Sequence, residues 1–417
     1  MTTEELVGRV RELEGDLLEL VSQLIAIDSQ IPPYGDERAI VGFLQSYFAE
    51  HGLGSGTVLA KDPVRPNLVL RMEGDPSGPT LGLCGHVDTK PVGAAADQWR
   101  TDPFSVTHVD GMLYGLGTSD MKAAVAAMII AARAGRDVGA FTGGSLELVL
   151  VADEEAGATY GAQWLAPQLR HLDACLIGEP SGWERDWQGL HLVSRGLSCF
   201  RIRVAGTQRH SSLSDRLPST NACLEMARLM TEMGEELSLT YPGQVFADLR
   251  PTVNTGVLVD GGVSFGVVPG EASFGCEVRA VPGMSVEQLA ADVRGWLDKA
   301  HADWGVEATL TFEPGLTWID PSEVAADAAV VQAAQAGCTI ALESPPPLSF
   351  FPGTTDAPWF TAQGIPTIPS LGPGILTYCH GPNEAVSVRS VKEAAAVYAH
   401  TAAAFFAGAR DVDGAEC

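Results

Sequence analysis

Apolar positions along this chain change period several times, and each change marks a different kind of element. Leu6, Val10, Leu13, Leu17, Leu20 and Leu24 recur three or four residues apart, which predicts an amphipathic helix over 5–29. A second helix is expected over 36–52. Short apolar runs at 67–72, 80–85, 145–152 and 174–177 have the length of strands, and helical stretches at 121–134 and 161–171 alternate with them. That order predicts an α/β fold, a mainly parallel sheet flanked by helices.

Near Gly196 the pattern changes. Residues 197–204 read as strand, 219–233 as helix, 252–259 and 272–280 as strands, 285–302 as helix and 308–312 as strand. This is the split βαβ order, which closes a four-stranded antiparallel sheet of its own. After about Thr317 helix and strand alternate again. The expected organisation is a larger domain in two parts, 1–195 and 317–417, interrupted by an α+β domain at 196–316. The tail from Asp411 is acidic and expected to fray.

A length of 417 residues exceeds the usual single core and fits two domains. Apolar residues at 46% and charged residues at 19% argue against disorder. The 52 acidic and 26 basic residues give a formal charge of −26, a field that repels phosphate backbones and anionic lipids. Nucleic acid and membrane surfaces are therefore not expected partners. No segment approaches the roughly 18 apolar residues of a membrane span. The start, Met1-Thr2-Thr3-Glu4-Glu5, is acidic where a signal peptide is basic, so a cytoplasmic location is expected. Eight cysteines lie scattered without CxxC spacing, which indicates neither a disulfide framework nor a cysteine zinc site.

The candidate chemistry sits between these elements. The run at 80–85 leads into His86-Val87-Asp88, where strand alternation turns His86 and Asp88 to one face. Asp88 can then hold a ring N–H of His86 and fix which nitrogen meets a metal; an incidental strand-end histidine is the plain alternative. In Tyr114-Gly115-Leu116-Gly117-Thr118-Ser119-Asp120 the glycines invite comparison with a dinucleotide fingerprint, but Asp120 stands where the third glycine belongs and would repel pyrophosphate. Asp120 opens an alanine-rich helix, so it reads as an N-cap or as a carboxylate bridging two metal ions. Asp153-Glu154-Glu155 ends a strand with three acids, which demands solvent or cations. One of the two glutamates can bind metal while the other faces a water. Glu179 follows another apolar run, and His380 lies in a Gly/Pro-punctuated loop. Each signal alone is weak. Together, His86, Asp120, Glu155 and Glu179 lie in strand-end or helix-start loops of one layer, where open sheets collect ligands. No nucleophile elbow, HExxH helix or phosphate loop competes.

In order, GHVDT at 85–89, YGLGTSDMK at 114–122, DEEAG at 153–157, GEP at 178–180 and CHGPNE at 379–384 resemble a known family. It is the co-catalytic zinc peptidase family of aminoacylases, acetylornithine deacetylase, succinyl-diaminopimelate desuccinylase and glutamate carboxypeptidase. The resemblance covers nearly the whole chain. It implies two divalent metal ions, with His86 and Glu179 on one, Glu155 and His380 on the other, and Asp120 bridging them. Zinc suits such donors, as do cobalt and manganese. Asp88 would orient His86, and Glu154 would move a proton from a water shared by the ions to the departing nitrogen. A cis peptide after Asp120 is also implied.

The domain at 196–316 resembles the family's lid and dimerisation domain, which implies a homodimer. It gives His210, in GTQRHSS at 206–212, a part in stabilising the transition state, often that of the partner subunit. Asn254 and Arg279 match lid positions that meet substrate, Arg279 being suited to clamp a carboxylate. Thr355, in GTTD at 353–356, matches a substrate-side loop. Without the resemblance, His210 reads as a surface turn and Arg279 as a solvated edge charge. Ala123, Gly266 and Glu277 depart from the residues common in the family; none is a metal ligand, but Gly266 in place of asparagine weakens any transfer of specificity.

The expected activity is hydrolysis of the amide bond of a small N-acyl amino acid. A dipeptidase or carboxypeptidase of the same chemistry is the alternative, since an Arg279 clamp serves both. A non-catalytic binding protein would have lost Glu154 or a ligand, and all are present.

Overall fold

The strand Thr80–His86 is buried along its whole length, as are its neighbours Ser145–Val151 and Ala174–Ile177. Strands apolar on both faces suit a parallel sheet with helices on either side. A computed structural model describes residues 2–413. Six strands run in the order Thr57–Leu59, Asn67–Met72, Ser145–Val151, Thr80–His86, Ala174–Ile177, Thr367–Ile368. The last four pair in parallel; the first two join antiparallel. This unit holds the chain up to Ser194, Glu323–Phe351 and the chain from Thr355 onward.

Alternation along the strands assigns the two faces. Cys84, Val149, Val151, Cys175 and Ile177 pack with Leu165, Leu169 and Phe360 on one side. On the other, a methyl group at Gly85 would strike Met121 and Val125. The helix Lys122–Asp137 is buried from Lys122 to Gly135. Its alanines let it lie close against the sheet and the C-terminal helix Val388–Asp413 at once.

Two helical expectations need correction. The helix expected over 5–29 is two, Thr3–Glu12 and Glu14–Ile25. Leu13 leaves helical geometry at φ −90°, ψ 3° yet stays buried, so the apolar period runs through the break and conceals it. The helix expected over 161–171 shrinks to Ala162–Leu165 and a 3-10 turn Ala166–Gln168. Pro167 has no N–H to continue the α-helical ladder. At the other end, residues 411–413 of the expected frayed tail continue the C-terminal helix; the rest of that tail lies outside the described residues.

The second unit comprises Arg195–Ser322 with Pro352–Thr354. Its four strands are ordered Thr252–Gly261, Glu271–Ala280, Gly196–Ala205, Glu307–Phe312, all antiparallel. Here burial alternates along Gly196–Ala205, the signature of a sheet covered on one face. Phe200, Ile202, Phe274 and Val278 meet Leu229 and Met233 of Ala222–Glu236, and Leu289 and Val293 of Val286–Trp304. Asn221 and Ser285 cap these helices by accepting N–H groups of the first turn.

Among the described residues, no helix is long and apolar enough to cross a membrane. The seven described cysteines are free.

Candidate active site

Three adjacent parallel strands end at one edge of the first sheet, and each delivers a histidine or an acid there. His86 closes Thr80–His86, the turn Glu154–Ala156 follows Ser145–Val151, and Glu179 follows Ala174–Ile177. Asp120 precedes the helix Lys122–Asp137, and His380 lies in a loop with left-handed φ of 59°. His86 Nε2 is 2.9 Å from Asp120 Oδ1 and 3.5 Å from Glu179 Oε1. His380 Nε2 is 3.1 Å from Asp120 Oδ2 and 3.2 Å from Glu155 Oε2. The two oxygens of Asp120 thus face different histidines, each with its own glutamate.

Asp120 does not cap its helix. Met121 holds the N-cap position and no side chain caps there. The Asp120–Met121 peptide is cis.

The His86–Asp88 relation differs from the one the His-x-Asp spacing predicts. His86 Nδ1 lies 3.0 Å from the backbone carbonyl of Asp88 and 3.6 Å from its carboxylate. A carbonyl only accepts, so Nδ1 donates to it, and Nε2 is the ring nitrogen turned towards the acids. The strand ends at His86, and its alternation does not extend to Asp88. The Asp88 carboxylate instead accepts the backbone N–H groups of Glu154 at 3.3 Å and Glu155 at 3.0 Å.

The turn bearing those glutamates is held from a second side. Asp153, at φ 66°, lies 2.8 Å from Arg65 Nη1, and Arg65 Nε donates to Glu37 at 2.6 Å. Lys90 Nζ is 3.1 Å from Glu155 Oε2 and also donates to the Glu155 carbonyl. A Cβ at Gly372 would fall 2.0 Å from the Gly178 carbonyl, so only glycine lets that segment pass behind Glu179.

Sequence reasoning gave no role to Arg65, Glu37, Lys90 or Glu384. Glu384 stood inside the CHGPNE segment and Glu37 at the start of the helix expected over 36–52; Arg65 and Lys90 lay between the expected elements. Asp356, also without a role, is a further buried acid of this cluster.

Crowding shapes the electrostatics. Burial, with Glu179, Asp356 and Glu155 adding to it, pushes Glu154 well above the carboxylate range. Burial and Asp120 raise Glu179 to about 7; burial, with Glu37 and Glu155, raises Asp88 to about 7. Burial opposes the charged form of both histidines, yet their hydrogen bonds to Asp120 and a glutamate outweigh it, and His380 rises to about 10. Burial is outweighed at Asp120 as well, where the two imidazoles hold the carboxyl well below its usual range.

His86, Asp120 and Glu155 offer donor atoms within 4.8 Å of one another, and so do His86, Glu154 and Glu179. Imidazole and carboxylate oxygen are the donor set of zinc, cobalt and manganese. With one carboxylate divided between two histidines, the residues present fit a pair of divalent ions.

The remaining predicted residues are divided between the two units. Thr355 is buried beside Asp356 and accepts the Ala357 N–H at 3.2 Å. His210, Asn254 and Arg279 belong to the second unit. His210 is exposed, with Nδ1 2.8 Å from Ser212 Oγ. Asn254 is exposed opposite Glu277 in the sheet. Arg279 is half-buried; its Nε donates to Glu277 at 2.9 Å and its Nη1 to Thr354 Oγ1 at 3.1 Å.

A strand-end cluster of this composition on an α/β sheet defines a metal-dependent hydrolase. Residues 82–404 match the model of Peptidase family M20/M25/M40, and the chain belongs to that family as a metal-binding enzyme acting on amide bonds. A succinyl-diaminopimelate desuccinylase of Alkalilimnicola ehrlichii is 30% identical over 77% of this chain and 82% of its own length. One of Leptothrix cholodnii is 29% identical over 94% of this chain and 99% of its own. Among solved structures, a dipeptidase of Saccharomyces cerevisiae shares the fold with a TM-score of 0.77 at 15% identity, covering 97% of this chain and 99% of that one. A metallo-carboxypeptidase of Sulfolobus solfataricus gives 0.74 at 18% identity, covering 94% and 99%.

Proposed function

We propose that this enzyme removes the acyl group from a small N-acyl amino acid. Two divalent metal ions, zinc first among them, would be held by His86 and Glu179 on one side and Glu155 and His380 on the other, with Asp120 shared. The observation that carries this reading is the division of the Asp120 oxygens, one 2.9 Å from His86 and the other 3.1 Å from His380. Such ions, when bound, polarise the scissile carbonyl and acidify the attacking water.

The chain's own residues do the rest. Asp88 orders His86 through its carbonyl and the 154–155 turn through its carboxylate. Glu154 lends its backbone to that turn, and its side chain stays within 4.8 Å of the His86 and Glu179 donor atoms. From there it takes the proton of the attacking water and returns it to the departing nitrogen. We assign to Arg279 the substrate carboxylate, because Glu277 and Thr354 brace its guanidinium. Asn254 and Thr355 are assigned further substrate contacts, and His210 the carbonyl oxygen as charge develops on it.

Deacylation is favoured over peptide cleavage because three relatives at 28–30% identity are desuccinylases. N-succinyl amino acids are accordingly the first substrates to try. A homodimer through the second unit is also proposed. Thr252–Gly261 is an edge strand on which Val257, Leu258 and Val259 are each more than half exposed, and such an edge invites pairing.

The test pairs elemental analysis with an N-acyl amino acid and dipeptide panel, run before and after chelation. The reading expects about two zinc, cobalt or manganese ions per chain. It also expects activity lost to chelator, restored by metal and highest on N-acyl substrates. Folded protein that stays inactive with metal added would refute the two-metal assignment. Cleavage of dipeptides alone would turn the reading to a peptidase.

A further inference from the structure

We infer that Glu384 is a positioning residue that sets the bridging carboxylate Asp120 and ties it to the loop carrying His380. The inference rests on the metal pair proposed above. Glu384 is buried at 2% exposure, and its carboxylate gathers three backbone amides of one turn. Oε2 accepts the Gly117 N–H at 3.0 Å, while Oε1 accepts those of Ser119 at 2.8 Å and Asp120 at 2.9 Å. The Glu384 carbonyl accepts a fourth, from Gly115.

Within the turn, the Thr118 N–H and hydroxyl donate to the Gly115 carbonyl and the Lys122 N–H to the Gly117 carbonyl. The helix behind it starts at Lys122 without a side-chain cap, and Gly115 and Gly117 occupy left-handed or otherwise glycine-favouring backbone. Asp120 can divide its oxygens between His86 and His380 only if its backbone is fixed. Glu384 does this from a position four residues after His380. Ser119 repeats the link, donating its hydroxyl to the Ile375 carbonyl and accepting the Ile375 N–H at 3.1 Å. Two donors for one ion, far apart in sequence, are thus held in register by one acid that touches neither donor side chain. Outer groups that orient ligands typically change metal affinity 10–100-fold when removed.

The experiment titrates metal-stripped protein with Co2+, following calorimetry and the visible absorption of the bound ion, for wild type, Glu384→Gln and Glu384→Asp. In Glu384→Gln one acceptor becomes an NH2 facing an N–H donor. At least one of the two ions should then bind about 10–100-fold more weakly, with an altered spectrum. Glu384→Asp keeps charge and both acceptors but withdraws them by one carbon, so an intermediate loss is expected. Wild-type affinity and spectrum in either variant that folds would overturn the inference, even if its melting temperature falls. Wild-type protein that binds no pair of ions would overturn the proposed function itself, a failure seen before any variant is made.

Discussion

Replacing Arg65 by Met takes the cation from between two buried acids. Arg65 is 4% exposed, Glu37 0% and Asp153 2%. The guanidinium lies 2.8 Å from Asp153 and donates to both oxygens of Glu37. After the substitution these carboxylates remain, Glu37 with the Asp153 N–H at 3.3 Å and Asp153 with the Tyr160 N–H at 2.9 Å. Deleting one partner of a buried ion pair typically costs about 3–5 kcal/mol, because the survivor is left charged and desolvated.

Glu37→Gln should also destabilise, by leaving Arg65 with a weakened counter-charge. The double variant removes charge from both sides and should lose less than the sum, with a coupling of at least about 1.5 kcal/mol. The assay is denaturant unfolding of wild type, both singles and the double. Losses that add within about 0.5 kcal/mol would refute the argument, since they would show no net interaction across the contact. A functional corollary follows from Asp153 preceding Glu154: Arg65→Met should lower kcat more than it raises KM.

Glu154→Ala should abolish turnover while elemental analysis still finds the metal; retained activity would remove Glu154 from its assigned role. His191 is fully buried, and burial lowers its pKa to about 4. Its folded value lies below the ordinary 6.5, so stability is full above pH 6.5 and falls by about 3 kcal/mol as pH drops towards 4. His191→Gln can still donate to the Ser181 carbonyl, which His191 Nε2 meets at 3.0 Å, but cannot ionise. Its melting temperature should change less than wild type over that range, and parallel curves would discount the effect. Leu258→Glu places a charge on the exposed edge strand and should shift the species seen in sedimentation from dimer to monomer, while an unchanged dimer would move the interface elsewhere.

The fold was legible wherever burial is periodic. Gly196–Ala205 alternates in burial and Thr80–His86 is buried throughout, a difference that the apolar run at 80–85 foreshadowed. Breaks that preserve the period, such as Leu13, were not legible, because burial continues through them. The residues now at the site were legible as a set of acids and histidines at element ends. Their partners were not. Nothing in His-x-Asp says that the Asp88 carbonyl meets the ring while its carboxylate meets the 154–155 amides. That choice depends on where the strand stops.

Side-chain type alone does not tell a metal-facing acid from one that organises a turn, and on the proposed reading this site contains both. Asp120, Glu155 and Glu179 point oxygens at histidines. Asp88 and Glu384 turn theirs to backbone amides, two and three respectively, of the turns that carry Glu155 and Asp120. Glu37 binds Arg65, which in turn holds Asp153. The N–H groups favour the charged form of these two carboxylates, burial outweighs them and raises Asp88 to about 7 and Glu384 to about 8, and the contacts fix the backbone they bind. On that reading Asp120 and Glu155 would meet a cation from turns that outer acids have already shaped. Divalent ions would offset the inner charge, whereas amides and Arg65 satisfy the outer. Removing metal should leave the outer contacts in place, so the metal-free enzyme should keep its fold at the strand ends. Protection of the Ser119, Asp120 and Glu155 amides from hydrogen exchange in chelator measures this directly. Rapid exchange there would show that the ions, rather than the outer acids, build the turns.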